Sequence, residues 1–239
     1  QSSFQLHDPG VAIGVSESPY SIDDDNSGSS TGNGDMVANG GEILEIYVSA
    51  KNYGSEDASN VYGQIYSSNG TVTIDSLGAL VEFGDMLSGE TASGITPFII
   101  SLDEGIPDDT DLGLVVSFSD SEGNTFNGML DILAAGNDLS AVSIDVVGSE
   151  DDVMTPGELS SIKIELGNTG ATTAISVNGT ITCASPFIEI IDNYGTWASV
   201  NPGGLAFNGD DHFEISALEE TIPGAIAHLI LNLETDDGY

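Results

Sequence analysis

The chain has 239 residues, with 39 Asp and Glu against 2 Lys and Arg, and its formal net charge is −37. This charge opposes binding to nucleic acids and anionic membranes, and no apolar run is long enough to span a bilayer, so we expect neither nucleic-acid binding nor direct membrane insertion. A hydrophobic fraction of 39% indicates a folded protein rather than a disordered acidic chain.

Short segments with alternating apolar residues run through the first half of the chain, a period typical of half-buried strands. Residues 1–8 are predicted to be an N-terminal extended strand, and residues 9–135 the first domain. About seven short strands in ~110 residues, separated by turn-rich segments, predict a two-sheet antiparallel β-sandwich. The predicted strands of this domain are 11–15, 43–50, 61–67, 71–74, 98–102, 112–118 and 126–133.

The connection after the first strand of the sandwich is strongly acidic. Asp23, Asp25 and Ser27 place oxygen ligands at alternate positions, and a glycine follows at the sixth position, as in the first half of a calcium loop. Position twelve is Gly34 instead of Glu, so the loop is not an EF-hand, and Asp35 has to close the ligand shell. We expect Ca²⁺ here, with a solvated acidic loop as the alternative.

Asn-Gly pairs punctuate the chain and are predicted to form tight turns, because both residues tolerate positive φ. Two of the pairs begin N-glycosylation sequons, which makes Asn69 and Asn178 candidate glycosylation sites in a secreted protein. The alternative is that these asparagines serve only as turn residues. The pairs lie at 39–40, 69–70, 127–128, 178–179 and 208–209.

The second half of the chain repeats the first at a spacing of about 116 residues. Residues 136–239 are therefore predicted to form a second sandwich, so that the fold is all-β with two tandem antiparallel β-sandwich domains. Its acidic loop is shorter, and Asp151 and Asp152 offer only a weaker metal site. The repeated residues include Asp35, Gly41, Glu42, Asn52, Gly54, Val61 and Gly63, which recur as Asp151, Gly157, Glu158, Asn168, Gly170, Val177 and Gly179.

The second domain lacks a counterpart of the last predicted strand of the first. Residues 1–8 carry the alternation of a strand at Phe4 and Leu6, and they lie where the last strand of a preceding domain would lie. Either the chain is a fragment of a longer array, or this segment completes the second domain of a neighbouring molecule. In the second case Phe4 and Leu6 are the subunit contacts.

The motifs Gly41-Glu42, Asn52-Tyr53-Gly54 and Val61-Tyr62-Gly63-Gln64-Ile65, with their second copies, resemble the immunoglobulin-like modules of secreted bacterial and archaeal surface proteins. These include CARDB-type modules and the sandwich domains that follow the catalytic domain of gingipain-like peptidases. The resemblance implies that both domains are immunoglobulin-like antiparallel β-sandwiches. It also implies an extracellular or cell-surface module that positions, spaces or adheres. It carries over no active site, because the shared residues are turn and core residues.

Catalytic motifs are weak in this chain. Gly28-Ser29-Ser30-Thr31-Gly32 matches the nucleophile elbow in letters only, since no strand directly precedes it and no helix follows it. His7, His212 and His228 have no zinc-like spacing. Trp197 is interpreted as a core or interdomain residue, with a ligand-binding aromatic as the alternative. We therefore expect no enzyme.

The sequence favours a non-catalytic extracellular structural module of a surface protein, with a filament subunit as one form of it. In that form the chain self-associates head to tail, whereas in a longer array its partners are neighbouring domains. Two alternatives stay open: an accessory region of a secreted hydrolase or peptidase, and a carbohydrate- or protein-binding adhesin.

Overall fold

The computed structural model describes residues 10–235, and every named element in this range is a β-strand. The strand pairs are antiparallel, so the predicted all-β antiparallel sandwich class is confirmed. The chain divides into two compact units, Gln1–Ala134 and Ala135–Tyr239. No helix in the described range is long and apolar enough to cross a membrane. The predicted contact residues Phe4 and Leu6 lie outside the described residues.

Strands β1 to β10 belong to the first unit, and β11 lies at the boundary. Their bounds are β1 Ile13–Asp23, β2 Ala38–Asn39, β3 Ile43–Asn52, β4 Ala58–Ser67, β5 Val72–Ile74, β6 Leu80–Met86, β7 Thr91–Ser93, β8 Phe98–Leu102, β9 Leu114–Ser119, β10 Thr125–Leu130 and β11 Ala134–Ala135.

Two sheets form the first unit. One has the order β1-β3-β8-β5, with β7 also paired to β3, and the other has the order β10-β9-β4-β6. Alternate side chains of both sheets point into one core, which contains Leu44 and Phe98 from the first sheet and Ile65 and Phe118 from the second. Residues with a period of two therefore form the two-layer sandwich that the sequence predicts.

The second unit repeats this arrangement with strands β12 to β19. Its sheets have the orders β12-β13-β18-β15, with β17 paired to β13, and β16-β14-β19. The bounds are β12 Leu139–Val146, β13 Leu159–Asn168, β14 Ala174–Cys183, β15 Ile188–Asp192, β16 Tyr194–Val200, β17 Leu205–Phe207, β18 Phe213–Ala217 and β19 Leu229–Glu234.

The edge strand β10 of the first unit has no counterpart among the described residues of the second. In the first unit β9 pairs with β4 on one side and β10 on the other, whereas its counterpart β19 pairs only with β14. The equivalence is fixed by register, since Gly63 pairs with Phe118 as Gly179 pairs with Leu233. Within residues 10–235, β19 is thus the edge strand of its sheet, and this side of β19 is called the open edge below.

The repeated Asn-x-Gly motif is a buried hydrogen-bonding centre. The Asn52 side chain donates to the carbonyl oxygens of Glu56 (2.8 Å) and Met86 (3.3 Å), and it accepts from the backbone amides of Gly54 (3.0 Å) and Ala12 (3.4 Å). The residue is fully buried. One amide side chain therefore ties the end of β3 to the following loop and to β6.

Asn168 makes the same set of bonds in the second unit. It donates to the carbonyl oxygens of Thr172 (2.7 Å) and Val200 (2.9 Å), and it accepts from the amides of Gly170 (3.0 Å) and Asp138 (3.1 Å). The glycine is required because a Cβ at Gly170 would lie 2.6 Å from the carbonyl oxygen of Gly136. The asparagine and the glycine of the motif therefore have the same structural roles in both units.

The repeated Val-x-Gly motif makes room for an aromatic ring. A Cβ at Gly63 would lie 2.9 Å from the ring of Phe83, and a Cβ at Gly179 would lie 2.7 Å from the ring of Trp197. Trp197 is 1% exposed, and its indole N–H donates to the carbonyl oxygen of Ile164 at 3.0 Å. Its interpretation as a core residue is confirmed.

Two of the Asn-Gly pairs predicted as turns lie within strands instead. The pair at 127–128 belongs to β10, and the pair at 178–179 belongs to β14. The turn prediction is wrong there because Gly179 serves ring packing, while Gly128 lies against Val15 of β1, where a Cβ would come within 2.7 Å of that side chain. By contrast, Asn69 does begin a turn, since its side-chain oxygen accepts from the amide of Thr71 at 3.0 Å.

Candidate functional site

The acidic loop, residues 24–42, connects β1 to β3 and is organised around Asp24. This side chain is 1% exposed, and its two oxygens accept from the backbone amides of Gly34 (3.0 Å), Asp35 (3.2 Å) and Met36 (3.0 Å). Asp24 was not among the predicted ligands. Asp24 lies two residues after Ile22, which packs against the core. Since alternate residues of a strand point to the same face, continuing the alternation of β1 by one step places Asp24 on the inward face.

The predicted ligands Asp23, Asp25 and Asp35 each hold a local turn. Asp23 accepts from the amide of Asp25 (3.3 Å), Asp25 from that of Ser27 (2.9 Å), and Asp35 from that of Val37 (2.8 Å). The bonds from Ser27 lower the pKa of Asp25. Each carboxylate is therefore oriented by the backbone two residues further on.

The structure does not gather the predicted ligands into a metal-binding group. Within residues 10–235, no three His, Cys, Asp or Glu side chains are arranged to hold a metal ion. In the second unit Asp151 accepts from the Ser149 hydroxyl (3.0 Å), and Asp152 accepts from the amide of Val146 (3.0 Å). Calcium binding stays a prediction at both loops.

Calcium titration tests that prediction directly. Saturating Ca²⁺ should raise the melting temperature of the first unit relative to EDTA, because an ion that binds only the folded loop stabilises it by mass action. The Asp23→Ala, Asp25→Ala double variant should lose this response, while Asp151→Ala should keep it. An equal response of the double variant and the wild type, or no response at all, would show that the loop holds no calcium.

Two further carboxylates, Glu42 and Glu45, are buried against the same loop. Glu42 accepts from the backbone amides of Asn33 (3.1 Å) and Asn39 (3.1 Å), and Glu45 accepts from that of Ser29 (2.7 Å). Both are less than 10% exposed. Amide donors therefore satisfy these carboxylates, in a chain that has only two Lys and Arg.

Burial raises the pKa of Glu42, and the nearby Asp24 carboxylate raises it further, although the amides of Asn39 and Asn33 oppose the change. Its repeat counterpart Glu158 behaves oppositely. The backbone amide and hydroxyl of Thr155 donate to Glu158 at 2.7 and 2.8 Å and lower its pKa. The contributions of the two glutamates to stability should therefore change with pH in opposite directions.

This difference predicts opposite pH dependences. A raised folded-state pKa means that the contribution of Glu42 is fully present below the ordinary value of 4.5 and is lost as the pH rises through the raised pKa. The stability of the wild type relative to Glu42→Gln should therefore fall as the pH rises through this window. For Glu158→Gln the relative stability should instead fall as the pH drops below 4.5. Denaturant melts across this range measure both slopes, and slopes of the same sign would contradict the assignment.

The two sequon asparagines differ in their surroundings, and both are half-buried. The Asn69 amide nitrogen donates to the carbonyl oxygen of Asp111 at 2.9 Å. The Asn178 amide nitrogen donates to that of Ser176 at 3.2 Å, and its oxygen accepts from the Tyr194 hydroxyl at 2.6 Å. Glycosylation of Asn69 and Asn178 stays a prediction.

The serine of the elbow-like sequence, Ser30, is 3% exposed, and its hydroxyl donates to the carbonyl oxygen of Ser27 at 2.9 Å. His212 bonds to the carbonyl oxygen of Gly209 at 2.7 Å. These contacts are local and link neighbouring turns. They do not join the serine to a histidine.

No protein-family model and no curated protein sequence matches the chain. The secreted serine protease VesC from Vibrio cholerae is similar with 14% identity and a TM-score of 0.28, over 90% of this chain and 52% of that one. Red sea bream transglutaminase has 9% identity and a TM-score of 0.37, over 98% and 30%. A protein of unknown function from Porphyromonas gingivalis W83 has 13% identity and a TM-score of 0.24, over 76% and 77%.

The chain spans about half the length of the VesC structure and less than a third of the transglutaminase. At these TM-scores the similarities carry no conclusion about activity. The functional argument therefore depends on the geometry of the two units themselves.

Proposed function

We propose that the chain is a non-catalytic structural module of an extracellular or cell-surface protein, and that it assembles head to tail by strand donation. The observation that supports this function is the open edge of β19: no strand among residues 10–235 lies where the first unit has β10. Unpaired sheet edges are normally covered, and an added strand satisfies the free backbone groups while alternate side chains enter the core.

The charge of the chain supports an extended, well-separated assembly. A net charge of −37 makes compact clustering of copies unfavourable, since each copy repels the others. A junction formed by one donated strand would leave most of this charge in solvent. Cations in the surroundings, including Ca²⁺, then favour assembly by screening the repulsion at each junction.

Assembly of the purified full-length chain tests the proposed function. We expect fibres in negative-stain micrographs and in pelleting assays, and more of them in about 1 M NaCl, where the Debye length falls to about 3 Å. Ca²⁺ at matched ionic strength separates screening from specific binding. A chain that stays monomeric under all of these conditions would contradict the filament form of the proposal.

A further inference from the structure

The open edge exposes apolar residues that the first unit buries. Along β9, Leu114, Val116 and Phe118 are at most 1% exposed. Their counterparts on β19 are Leu229, Leu231 and Leu233, which pair with β14 in the equivalent register but are only half-buried. The difference follows from the strand that lies beside β9 and not beside β19.

Beside this edge lies an apolar groove of about 500 Å³ in the second unit. Its walls include Ile144 and Val146 of β12, Leu229 at the start of β19, and Ala227 two residues before that strand. Ile222 also lines it and is 61% exposed, whereas the corresponding Ile106 of the first unit is 2% exposed. The groove is thus a region that is filled in one unit and open in the other.

Residues 130–132 occupy this region in the first unit. Leu130 and Ile132 are each 2% exposed and belong to the core. Between them, the carbonyl oxygen of Asp131 accepts from the hydroxyl of Tyr20 on β1 at 2.9 Å. The position of Tyr20 in β1 corresponds to Ile144 in β12, since Tyr20 pairs with Val48 as Ile144 pairs with Ile164. The wall that holds residues 130–132 is therefore the wall of the open groove.

A register for the missing strand follows from the residues that begin each unit. The carbonyl oxygen of Ala12 accepts from the amide of Tyr53 at 2.7 Å, and that of Asp138 accepts from the amide of Thr169 at 2.9 Å. Two residues earlier, the carbonyl oxygen of Gly10 accepts from the backbone amide of Glu56 in the loop after β3. The carbonyl oxygen of Gly136 accepts from the amide of Thr172 in the equivalent loop after β13. Ala12 and Asp138 are thus equivalent.

When the two sequences are aligned at Ala12 and Asp138 and read towards the N-terminus, Phe4 aligns with Leu130 and Leu6 aligns with Ile132. The two apolar residues of the N-terminal segment therefore align with the two buried positions of β10 and the residues after it, for which the described residues of the second unit supply no counterpart. Gln5 falls on Asp131, which is exposed. This agreement of phase is independent of the groove, since it uses only the sequence and the contacts at Gly10 and Gly136.

We infer that residues 1–7 of a second copy of this chain fill the groove, with Phe4 opposite Leu229 and Leu6 beside Ala227. The inference rests on the proposed function and specifies its partner and register. In the first unit Leu130 pairs with Leu114, and the amide of Leu112 donates to the carbonyl oxygen of Ile132 at 3.0 Å. The corresponding pairs at the proposed junction are Phe4 of one copy with Leu229 of the other, and Leu6 with Ala227.

The sequence spacing of residues 1–7 favours a second copy over the same chain, and their charge suits the acidic acceptor. Leu130 precedes the first residue of β12 by as many residues as Phe4 precedes the first residue of β1. Leu130 and Ile132 belong to the core of the unit that precedes them in sequence, not of the unit that follows them. By the same pattern, residues 1–7 match the second unit of another copy. Residues 1–7 contain no Asp or Glu, so the strongly acidic acceptor does not repel them.

A disulfide across the junction tests the register. In a Cys183→Ser background, Ser3→Cys with Ile230→Cys places two thiols directly opposite each other and should give a ladder of covalent multimers on oxidation. The control Ser3→Cys with Asn232→Cys is displaced by two residues, where Cα atoms stand about 7–8 Å apart and a disulfide closes poorly. A ladder from the control alone, or an intramolecular 3–230 disulfide in monomers, overturns the inference.

A pair of matched charge substitutions tests the burial of Phe4. Phe4→Asp should reduce the polymer by at least about tenfold, because the substitution removes a fully buried aromatic side chain. Gln5→Asp adds the same charge to the outward face and should assemble like the wild type. If fibres form equally with Phe4→Asp, the proposed function stands and this inference fails.

If the wild-type chain forms no fibres, a labelled peptide of residues 1–9 decides the inference separately. Saturable binding to the full-length chain, lost with the Phe4→Asp peptide and kept with the Gln5→Asp peptide, supports the groove assignment. Absence of binding overturns it.

Discussion

Replacing Asn168 with alanine is expected to destabilise the second unit by about 3 kcal/mol, because removing one partner of a buried hydrogen bond costs about 1–3 kcal/mol. Two carbonyl oxygens, of Thr172 and Val200, and two amides, of Gly170 and Asp138, lose their partner in the variant. For a domain of this size, that change lowers the melting temperature by about 10–20 °C.

Calorimetry of Asn168→Ala and Asn52→Ala separates the two units. Each variant should lower the melting transition of its own unit, since the network is repeated in both. Asn232→Ala is the matched control, because Asn232 is an exposed asparagine on β19 and its replacement should have little effect. A melting temperature of Asn168→Ala within experimental error of that of Asn232→Ala would contradict the assigned role.

The second large effect is expected at Trp197. Truncating a fully buried aromatic side chain typically costs about 3–5 kcal/mol, so Trp197→Ala should unfold the second unit at far lower denaturant concentration. The ring packs on Gly179 and lies 6.1 Å from the Phe213 ring, between centroids. The loss therefore opens a cavity between the two sheets of this unit.

Trp197→Phe is the informative comparison. The first unit places Phe83 over Gly63 in the same way, and that ring meets Phe118 edge-on at 5.4 Å between centroids. A phenylalanine at 197 should therefore recover most of the lost stability and lack only the bond to the Ile164 carbonyl oxygen. Equal destabilisation by Phe and Ala in urea melts would show that ring packing is not the source of the effect.

The sandwich class could be predicted because the two-residue alternation and the repeat reflect the same physical constraint. Asn52 and Asn168, or Gly63 and Gly179, recur because each occupies a buried position that tolerates no other side chain without loss of a contact. A repeat of such residues shows that the positions matter. It does not say which contact each one makes.

The turn prediction failed where local propensity and tertiary packing compete. Asn-Gly is favourable in a tight turn, but Gly179 lies in a strand because the Trp197 ring requires the space above it. The sequence signal was available in the alternation of Val177, Gly179 and Ile181 across the pair. A period of two continuing through an Asn-Gly pair therefore favours a strand over a turn.

The acidic loop was only partly predictable. Alternate oxygen ligands suggested a metal shell, but the structure uses Asp24, between two of the predicted ligands, to bind three backbone amides. The calcium pattern and an amide-binding loop share composition, since both gather oxygen acceptors at a turn. Which donor the oxygens meet depends on the backbone path, and the sequence of the loop does not fix that path.

The claim that the second sandwich is completed by another copy is tested most directly by hydrogen exchange along β19. In monomers, the β19 amides that do not bond to β14 should exchange rapidly, while amides of β9 are protected by strands on both sides. In fibres, residues 229–234 should gain protection comparable to that of residues 114–119. Full protection of β19 already in the monomer, or none gained in fibres, would contradict the account.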